Sequence, residues 1–479
     1  MNAKKIGLMS GLCFFMVLLV MPIPSGMSES SMAVAATAVL MATWWISEAL
    51  PIAVTALLPI ILYPLLGIMS TQDTTLAYGN HMIFLFMGGF MLAVCIEKWN
   101  LHKRIALHTI NLLGDTPQRI LLGFMLATAF LSMWISNTAA TMMMLTIALA
   151  VLTQSENTKP TKYQATTGFA TALMLGIAYA ASIGGVATLI GTPPNAILAG
   201  VVEKNHGITI GFLDWMIFAL PLSLVMLGIA WWYLSQRFVK ISTAKTSKAE
   251  QAIQQQLSAL GSMSTAEQRV LLVFTLVVVA WVTRGLFDFA FLKVFSDASI
   301  AIAGVILLFI IPAGQAEKGP LLDWQTAVKI PWDIIILFGG GFALAQGFSE
   351  SGLSQWIAQQ LSSLEGMHYL FLILMITLLI VFLTEVTSNT ATASLFIPVM
   401  GAMAMAMHIH PLFTMVAVAI SASFAFMLPV ATPPNAIVFA SRALTIAQMA
   451  RAGLALNLIG VLLISLYVVF VLPLFFKIS

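Results

Sequence analysis

The sequence predicts an all-α polytopic membrane protein whose two halves repeat one another, and three observations carry that expectation. Charged residues make up 8% of the 479-residue chain and hydrophobic residues 60%, with a mean hydropathy of +0.99; a water-soluble domain carries about 25% charged residues. Apolar stretches of roughly 20 residues, the helix length that crosses hydrocarbon, recur from Ile6 to Phe476 with one long polar interruption. The motifs SNTAAT at 136–141 and SNTATA at 388–393 stand 252 positions apart, one in each half. Helices follow because backbone exposed to lipid must satisfy its own hydrogen bonds.

Along the chain, spanning helices are expected at 6–24, 32–48, 51–68, 80–97, 212–236, 268–289, 297–313, 331–349 and 452–476. The first, within residues 1–31, opens MNAKKIGLMSGLCFFMVLLVMPIP, with the basic start and apolar core of a signal peptide. No small-x-small site closely follows it and the next helix begins soon after, so a retained signal-anchor helix is expected. Residues 118–154, 165–202, 368–407 and 411–441 are longer apolar runs, each broken near its middle by a polar or proline-rich patch. A polar connector at 237–267 separates a first repeat, 32–236, from a second, 268–479. Its Lys240, Lys245 and Lys248 place it in the cytoplasm by the positive-inside rule.

The offset of 252 that superposes SNTA on SNTA also superposes FMGGFMLAV, from Phe86, on FGGGFALAQ, from Phe338, with six identities in nine. A third pair, GTPPNAI at 191–197 and ATPPNAI at 431–437, has an offset of 240, the difference being absorbed by the extra polar loop around SENTKPTKYQ. Charge orients the copies. Lys98, Lys103 and Arg104 follow the first GGF helix, whereas SESGLSQWIAQQ after the second has no Lys or Arg; Lys159 and Lys162 follow the first SNT run, whereas MHIHP follows the second. The two sets of loops are therefore expected on opposite sides, as in the inverted repeats of secondary transporters, which bind substrate near the midplane.

Each SNT triplet interrupts a run too long for one helix, which suits a re-entrant hairpin whose polar tip lines a cavity. Such a tip offers helix N-terminal N–H groups, hydroxyls and an amide, able to bind an anion or to coordinate a cation. Pro193-Pro194 and Pro433-Pro434 break their helices, since proline has no N–H to donate, and then suit the first turn of the helix that restarts. Unwound carbonyls near Gly191 and Ala431 are acceptors for Na⁺. Ser132 and Thr384 stand four residues before each triplet, on the same helical face, and Thr387 adds a hydroxyl to the second copy. Glu385 stands where the first half has Met133; a structural role accepting bonds from Thr or backbone donors is preferred over a proton-coupling one. Glu48 and Asp333 read as anchors at helix ends, and the GGF stretches as close-packing faces.

Composition excludes several classes. Cys13 and Cys95 make no disulfide framework, and a net charge of +3 argues for no nucleic-acid partner. No HExxH, CxxC, GxSxG or Walker pattern occurs, so nothing points to an ATPase, hydrolase or metalloenzyme.

The two SNT motifs and two TPPN motifs, with WWISEALPIAVTALLP at 44–59, resemble the divalent anion/sodium symporter family, and the resemblance spans nearly the whole chain. It implies about eleven transmembrane helices, two re-entrant hairpins, a homodimer and elevator movement. It further implies that substrate carboxylates meet Ser136, Asn137, Thr138, Ser388, Asn389 and Thr390, with Thr432 and Pro433 nearby. One Na⁺ would lie at Ser132, Ser136, Asn137 and Gly191, and a second at Thr384, Thr387, Asn389 and Ala431. The expected activity is Na⁺-coupled symport of a small dicarboxylate anion such as succinate, malate or fumarate across the inner membrane. The lipid bilayer surrounds the protein, with the N-terminus cytoplasmic and the C-terminus outside. A dicarboxylate/citrate or tartrate exchanger without sodium coupling, a sulfate carrier and, more remotely and from another class, a channel stand as alternatives.

Overall fold

Helix is the regular secondary structure of the described residues, apart from one isolated bridge between Pro312 and Pro320. The computed structural model describes residues 3–114, 116–155, 168–239, 247–287, 294–314, 318–360 and 368–476. Lys159, Lys162, Lys240 and Lys245, used above to orient loops, lie outside them. Eight described helices are long and apolar enough to cross a membrane, and further apolar helices of 10–17 residues stand among them. The shorter ones include Pro117–Ser132, Tyr369–Leu383 and Pro411–Ser421, which belong to the interrupted runs.

Most expected spans are found within a few residues of their predicted ends, and side-chain caps set many of those ends. Ser28 accepts from Ser31 N before Glu29–Ser47, Asn80 accepts from Met82 N before His81–Lys98, and Ser264 with Glu267 forms a capping box before Thr265–Leu286. Glu48 is the left-handed residue that closes its helix, and Asp333 lies in the first turn of Trp332–Glu350, consistent with end roles for both. The glycine stretches are close-packing faces. Gly88 sits against Ala301, and a Cβ on Gly340 would run into the Ala56 backbone, so the helix Trp332–Glu350 can approach that chain only as glycine.

Two expected spans are corrected, and three helices were not foreseen. The span at 51–68 is two pieces, Ile52–Thr55 and Leu58–Leu65, because Pro59 cannot donate and its ring would clash with the carbonyl four residues back. The last span begins earlier, at Ile446, and breaks at Val471, two residues before Pro473. The connector is not simply polar chain, since it carries the amphipathic helix Ser247–Leu260. Leu101–Leu113 and Leu353–Gln360 were likewise not expected; their polar faces dilute the hydropathy that marks a spanning segment.

Ion pairs staple loops of the two halves. Arg104 donates to both carboxylate oxygens of Glu267, at 2.9 and 3.2 Å, and to carbonyls of residues 260–262. Lys98 meets Asp323 at 2.6 Å, and this contact, with the Thr326 N–H, pushes the Asp323 carboxyl down to about 2. Asp297 accepts from Arg284 at 2.8 Å and from the backbone of Phe212 at 2.9 Å.

The interrupted runs form the centre. Pro117–Ser132 and Asn137–Ser155 are the arms of the first hairpin, and both pack on Gly168–Val186; Tyr369–Leu383 and Asn389–Ala406 are the arms of the second, and both pack on Pro411–Ser421. The restarted helices cross over. Pro193–His206 packs on the outgoing arm of the second hairpin, and Pro433–Ala440 on that of the first.

Candidate functional site

Two polar tips face two unwound segments. The first tip is Met133–Ser136 and its partner the stretch 187–192 between Val186 and Pro193; the second tip is Thr384–Ser388 and its partner 422–432 between Ser421 and Pro433. The helix breaks arise locally. Pro193 and Pro433 begin their helices after Thr192 and Thr432, both in extended backbone, and Thr432 caps its helix by accepting from Asn435 N.

The same bonds are made twice. Asn195 Nδ2 donates to the carbonyls of Gly185, at 3.3 Å, and Thr188, at 2.7 Å, and also to Val186. Asn435 Nδ2 donates to Ala425 O, at 3.1 Å, and Leu428 O, at 3.0 Å, the positions 240 residues on. Each motif asparagine thus holds the unwound stretch before its own helix in shape, a role the sequence reading did not assign. Ser132 Oγ lies within hydrogen-bond reach of Asn137 Oδ1 and of Ala181 O, the latter at 2.7 Å, and Thr384 Oγ1 of Asn389 Oδ1, at 2.7 Å, and of Ala422 O, at 3.0 Å, the one proton of each hydroxyl serving either acceptor. Thr192 and Ser423 hydroxyls meet at 3.4 Å, joining the two unwound segments.

Ser132, Asn137 and Gly191 are therefore brought together, with the Ala181 carbonyl as an unforeseen fourth member. Two orientations of the Asn137 amide are chemically distinct. Nitrogen inward, it donates to Gly191 O and Ala181 O, each at 3.3 Å. Oxygen inward, it adds to the Ser132 hydroxyl and two carbonyls, an all-oxygen set that a hard cation satisfies. Gly185 and Gly191 are packed so tightly here that a Cβ on Gly191 would overlap Gly185. In the second half Thr384 and Asn389 meet, whereas Thr387 turns away to Leu383 O, at 2.9 Å, and Thr392, at 2.7 Å. Ala431 makes a turn bond to Leu428 O and none to Thr384 or Asn389.

The triplets head long helices. Ser136 caps Asn137–Ser155 by accepting from Ala139 N at 3.2 Å, whereas Ser388 makes no side-chain cap. The hydroxyls of Thr138, Ser388 and Thr390 hydrogen-bond to no other described residue. Half-buried Ser136, Asn137, Thr138, Ser388 and Asn389 and exposed Pro433 leave the site reachable, while Thr192 and Thr432 are buried. Unbonded hydroxyls beside first-turn N–H groups suit a carboxylate.

Glu385 departs from the symmetry. At 3% exposure, its Oε1 accepts from Phe426 N (2.7 Å), Met427 N (2.9 Å) and Asn457 Nδ2 (2.7 Å), and its Oε2 from Leu428 N (3.0 Å). The preferred structural reading is met by backbone donors, with no Thr among them. In the first half the matching positions are tied differently: Thr188 Oγ1 donates to Met133 O at 2.6 Å. Nothing local in the sequence marks Asn457.

The chain matches the family described as Sodium:sulfate symporter transmembrane region over residues 2–476. It is 44% identical over 475 residues to a sodium-dependent dicarboxylate transporter, SdcS, of Staphylococcus saprophyticus, covering 98% of this chain and 92% of that one. It is 45% identical over 478 residues to SdcS of Staphylococcus aureus, covering 98% and 91%. Among solved structures, the Neisseria gonorrhoeae MtrF antimetabolite efflux pump aligns with a TM-score of 0.60 at 14% identity over 97% of this chain and 95% of that one. The Alcanivorax borkumensis YdaH transporter aligns at 0.54 and 16% identity over 81% and 84%, so these two share the fold.

Proposed function

The chain belongs to the sodium:sulfate symporter family, the divalent anion/sodium symporters its motifs resemble, and on that premise we propose that it imports C4-dicarboxylates such as succinate, malate or fumarate together with Na⁺. It is a multi-pass membrane transporter rather than an enzyme. The observation that carries the reading is the doubled arrangement in which the hydroxyl four residues before each SNT triplet, Ser132 or Thr384, meets both the triplet asparagine and a carbonyl of the neighbouring interrupted run, Ala181 or Ala422.

The physics of charge explains why sodium is needed. Residues 132–141, 187–197, 384–394 and 422–437 contain a single ionisable side chain, Glu385, and it is acidic. A dianion entering this region finds no Lys or Arg. Its charge is met by the N-terminal N–H groups of Asn137–Ser155 and Asn389–Ala406 and by bound cations. Substrate carboxylates engage Ser136, Asn137, Thr138, Ser388, Asn389 and Thr390, with Thr432 and Pro433 closing the second side. Na⁺ binds at Ser132, Ser136, Asn137 and Gly191, and at Thr384 and Asn389, which Thr387 and Ala431 join on giving up their bonds to Leu383 O, Thr392 and Leu428 O. Desolvating the dianion is favourable only with the cations in place, so each raises the other's affinity.

The two repeats, 32–236 and 268–479, are inverted in the membrane, with the N-terminus in the cytoplasm and the C-terminus outside. The bundle of hairpins and broken helices moves as an elevator against a scaffold that forms a homodimer. Proteoliposomes test the function. Radiolabelled succinate should accumulate under an inward Na⁺ gradient and not under K⁺; uptake confined to vesicles preloaded with succinate and indifferent to Na⁺ would make the protein an exchanger, and preference for sulfate over succinate in competition would move it to the family's other substrate class.

A further inference from the structure

One face of the helix Ile446–Phe470 is fitted to the second unwound segment. Gly453, Asn457 and Gly460 recur at spacings of four and three, which places them on one side of that helix. A Cβ on Gly453 would overlap the Phe426 carbonyl and crowd Met427 N, and one on Gly460 would press on the Phe424 ring at 2.9 Å. The glycines thus bring this helix against the backbone at 424–427, and Asn457, fully buried between them, reaches Glu385 Oε1 at 2.7 Å. Four N–H donors converge on the carboxylate of Glu385, which accepts from all of them and has no acceptor to serve. That donor set matches the ionised carboxylate, which only accepts.

We propose that Glu385 and Asn457 are a pair of positioning residues through which the helix Ile446–Phe470 fixes the unwound segment 422–432 and thereby sets the Na⁺ affinity of the second cation site. The inference rests on the reading of a Na⁺-coupled carrier and adds to it a residue outside both motifs. The carbonyls of 422–432 are cation ligands only while their peptide planes are held, and three consecutive N–H groups of that stretch, from Phe426 to Leu428, are held by one carboxylate. The carboxylate in turn is oriented by Asn457. The first half is tied differently: Met133 stands at the Glu385 position and accepts from the Thr188 hydroxyl, and the helix Phe212–Trp232 reaches the end of Gly168–Val186 by the Trp215 indole, which donates to Val186 O at 2.9 Å. The two cation sites are therefore unequal, and removing Asn457 acts on one of them.

The test is Na⁺-dependent succinate uptake by the purified full chain in liposomes, comparing wild type with Asn457→Leu, Asn457→Asp and Gly453→Ala. Losing a hydrogen bond to a charged group is expected to raise the half-saturating Na⁺ concentration on the order of tenfold in Asn457→Leu. The maximal rate at saturating Na⁺ should stay within about twofold, since the site itself is intact. Gly453→Ala, which pushes the helix off the segment, should shift Na⁺ dependence in the same direction. Asn457→Asp can donate to Glu385 only when protonated, so its Na⁺ affinity should recover as pH is lowered, a response Asn457→Leu cannot give. Unchanged half-saturating Na⁺ in the variants, or a fall in maximal rate alone, would overturn the proposal. Wild-type uptake indifferent to Na⁺ would instead overturn the functional reading, and this inference with it. If Asn457→Leu fails to fold, the pH response of the near-isosteric Asn457→Asp decides.

Discussion

Asn195 Nδ2 donates to the Thr188 carbonyl at 2.7 Å, across seven residues of backbone that a helix would otherwise have kept straight. Because that amide also serves Gly185 O and Val186 O, Asn195→Ala would leave buried carbonyls without a donor, at about 1–3 kcal/mol for each one stranded. The variant is expected to melt several degrees lower in detergent and to lose most succinate uptake. Wild-type melting together with wild-type uptake would show that the unwound stretch holds its own shape.

Asn137 and Asn389 head the two hairpin helices; Asn137 faces the Ser132 hydroxyl and the Gly191 carbonyl, and Asn389 faces the Thr384 hydroxyl. Asn137→Ala and Asn389→Ala are each expected to abolish transport, at least about a hundredfold, while leaving oligomeric state and helix content unchanged by size exclusion and circular dichroism. The loss follows from the proposed site, in which one side chain would serve both ion and substrate, so that its removal acts on coupled binding events. Near-normal uptake by either variant would remove that half of the site.

Substrate affinity should collapse when Na⁺ is replaced by choline, which is too large for a site lined by packed backbone. Isothermal titration of succinate into purified protein would read this directly. Equal affinity in the two salts would mean that helix N-termini alone balance the dianion.

Asp323 gives the surface a mild pH dependence. Its carboxyl is held at about 2 in the folded protein by Lys98, against an ordinary 3.8, so the unfolded chain takes up its proton first as pH falls. The stability this contact contributes is present above about 3.8 and is lost as pH falls towards about 2. With the side chain 40% exposed, the effect is modest, under about 1 kcal/mol. Melting temperatures of wild type and Lys98→Met should diverge by a degree or two at neutral pH and converge in acid; parallel curves would assign the pair no share in stability.

Much of this was legible in the chain because duplication repeats its own evidence. Single motifs such as SNT or TPPN resemble ordinary helix packing, but two copies in register marked the interrupted helices, and the structure places breaks at both, while the crossing of each restarted helix onto the other half's hairpin was not foreseen. What was missed has physical reasons. Pro59 and Pro473 broke spans that hydropathy sums over, since a missing N–H leaves the apolar average untouched. The helices Leu101–Leu113 and Ser247–Leu260 are amphipathic and fall below a spanning signal. Asn457 could not be foreseen, because what makes it matter is Glu385, 72 residues away in sequence. The Ala181 and Ala422 carbonyls are backbone atoms, which no residue identity announces.

The cross-tie between hairpin tip and unwound chain joins equivalent positions in both halves, yet its acceptor is the backbone of Met133 in one and the side chain of Glu385 in the other. If the halves descend from one ancestral segment, only the connection has been inherited, and the groups making it have been exchanged. A chimera carrying two copies of either half would then be a test of ancestry as much as of chemistry, because each half holds its own tie complete: the Thr188 hydroxyl on Met133 in the first, and Glu385 with the helix bearing Asn457 in the second.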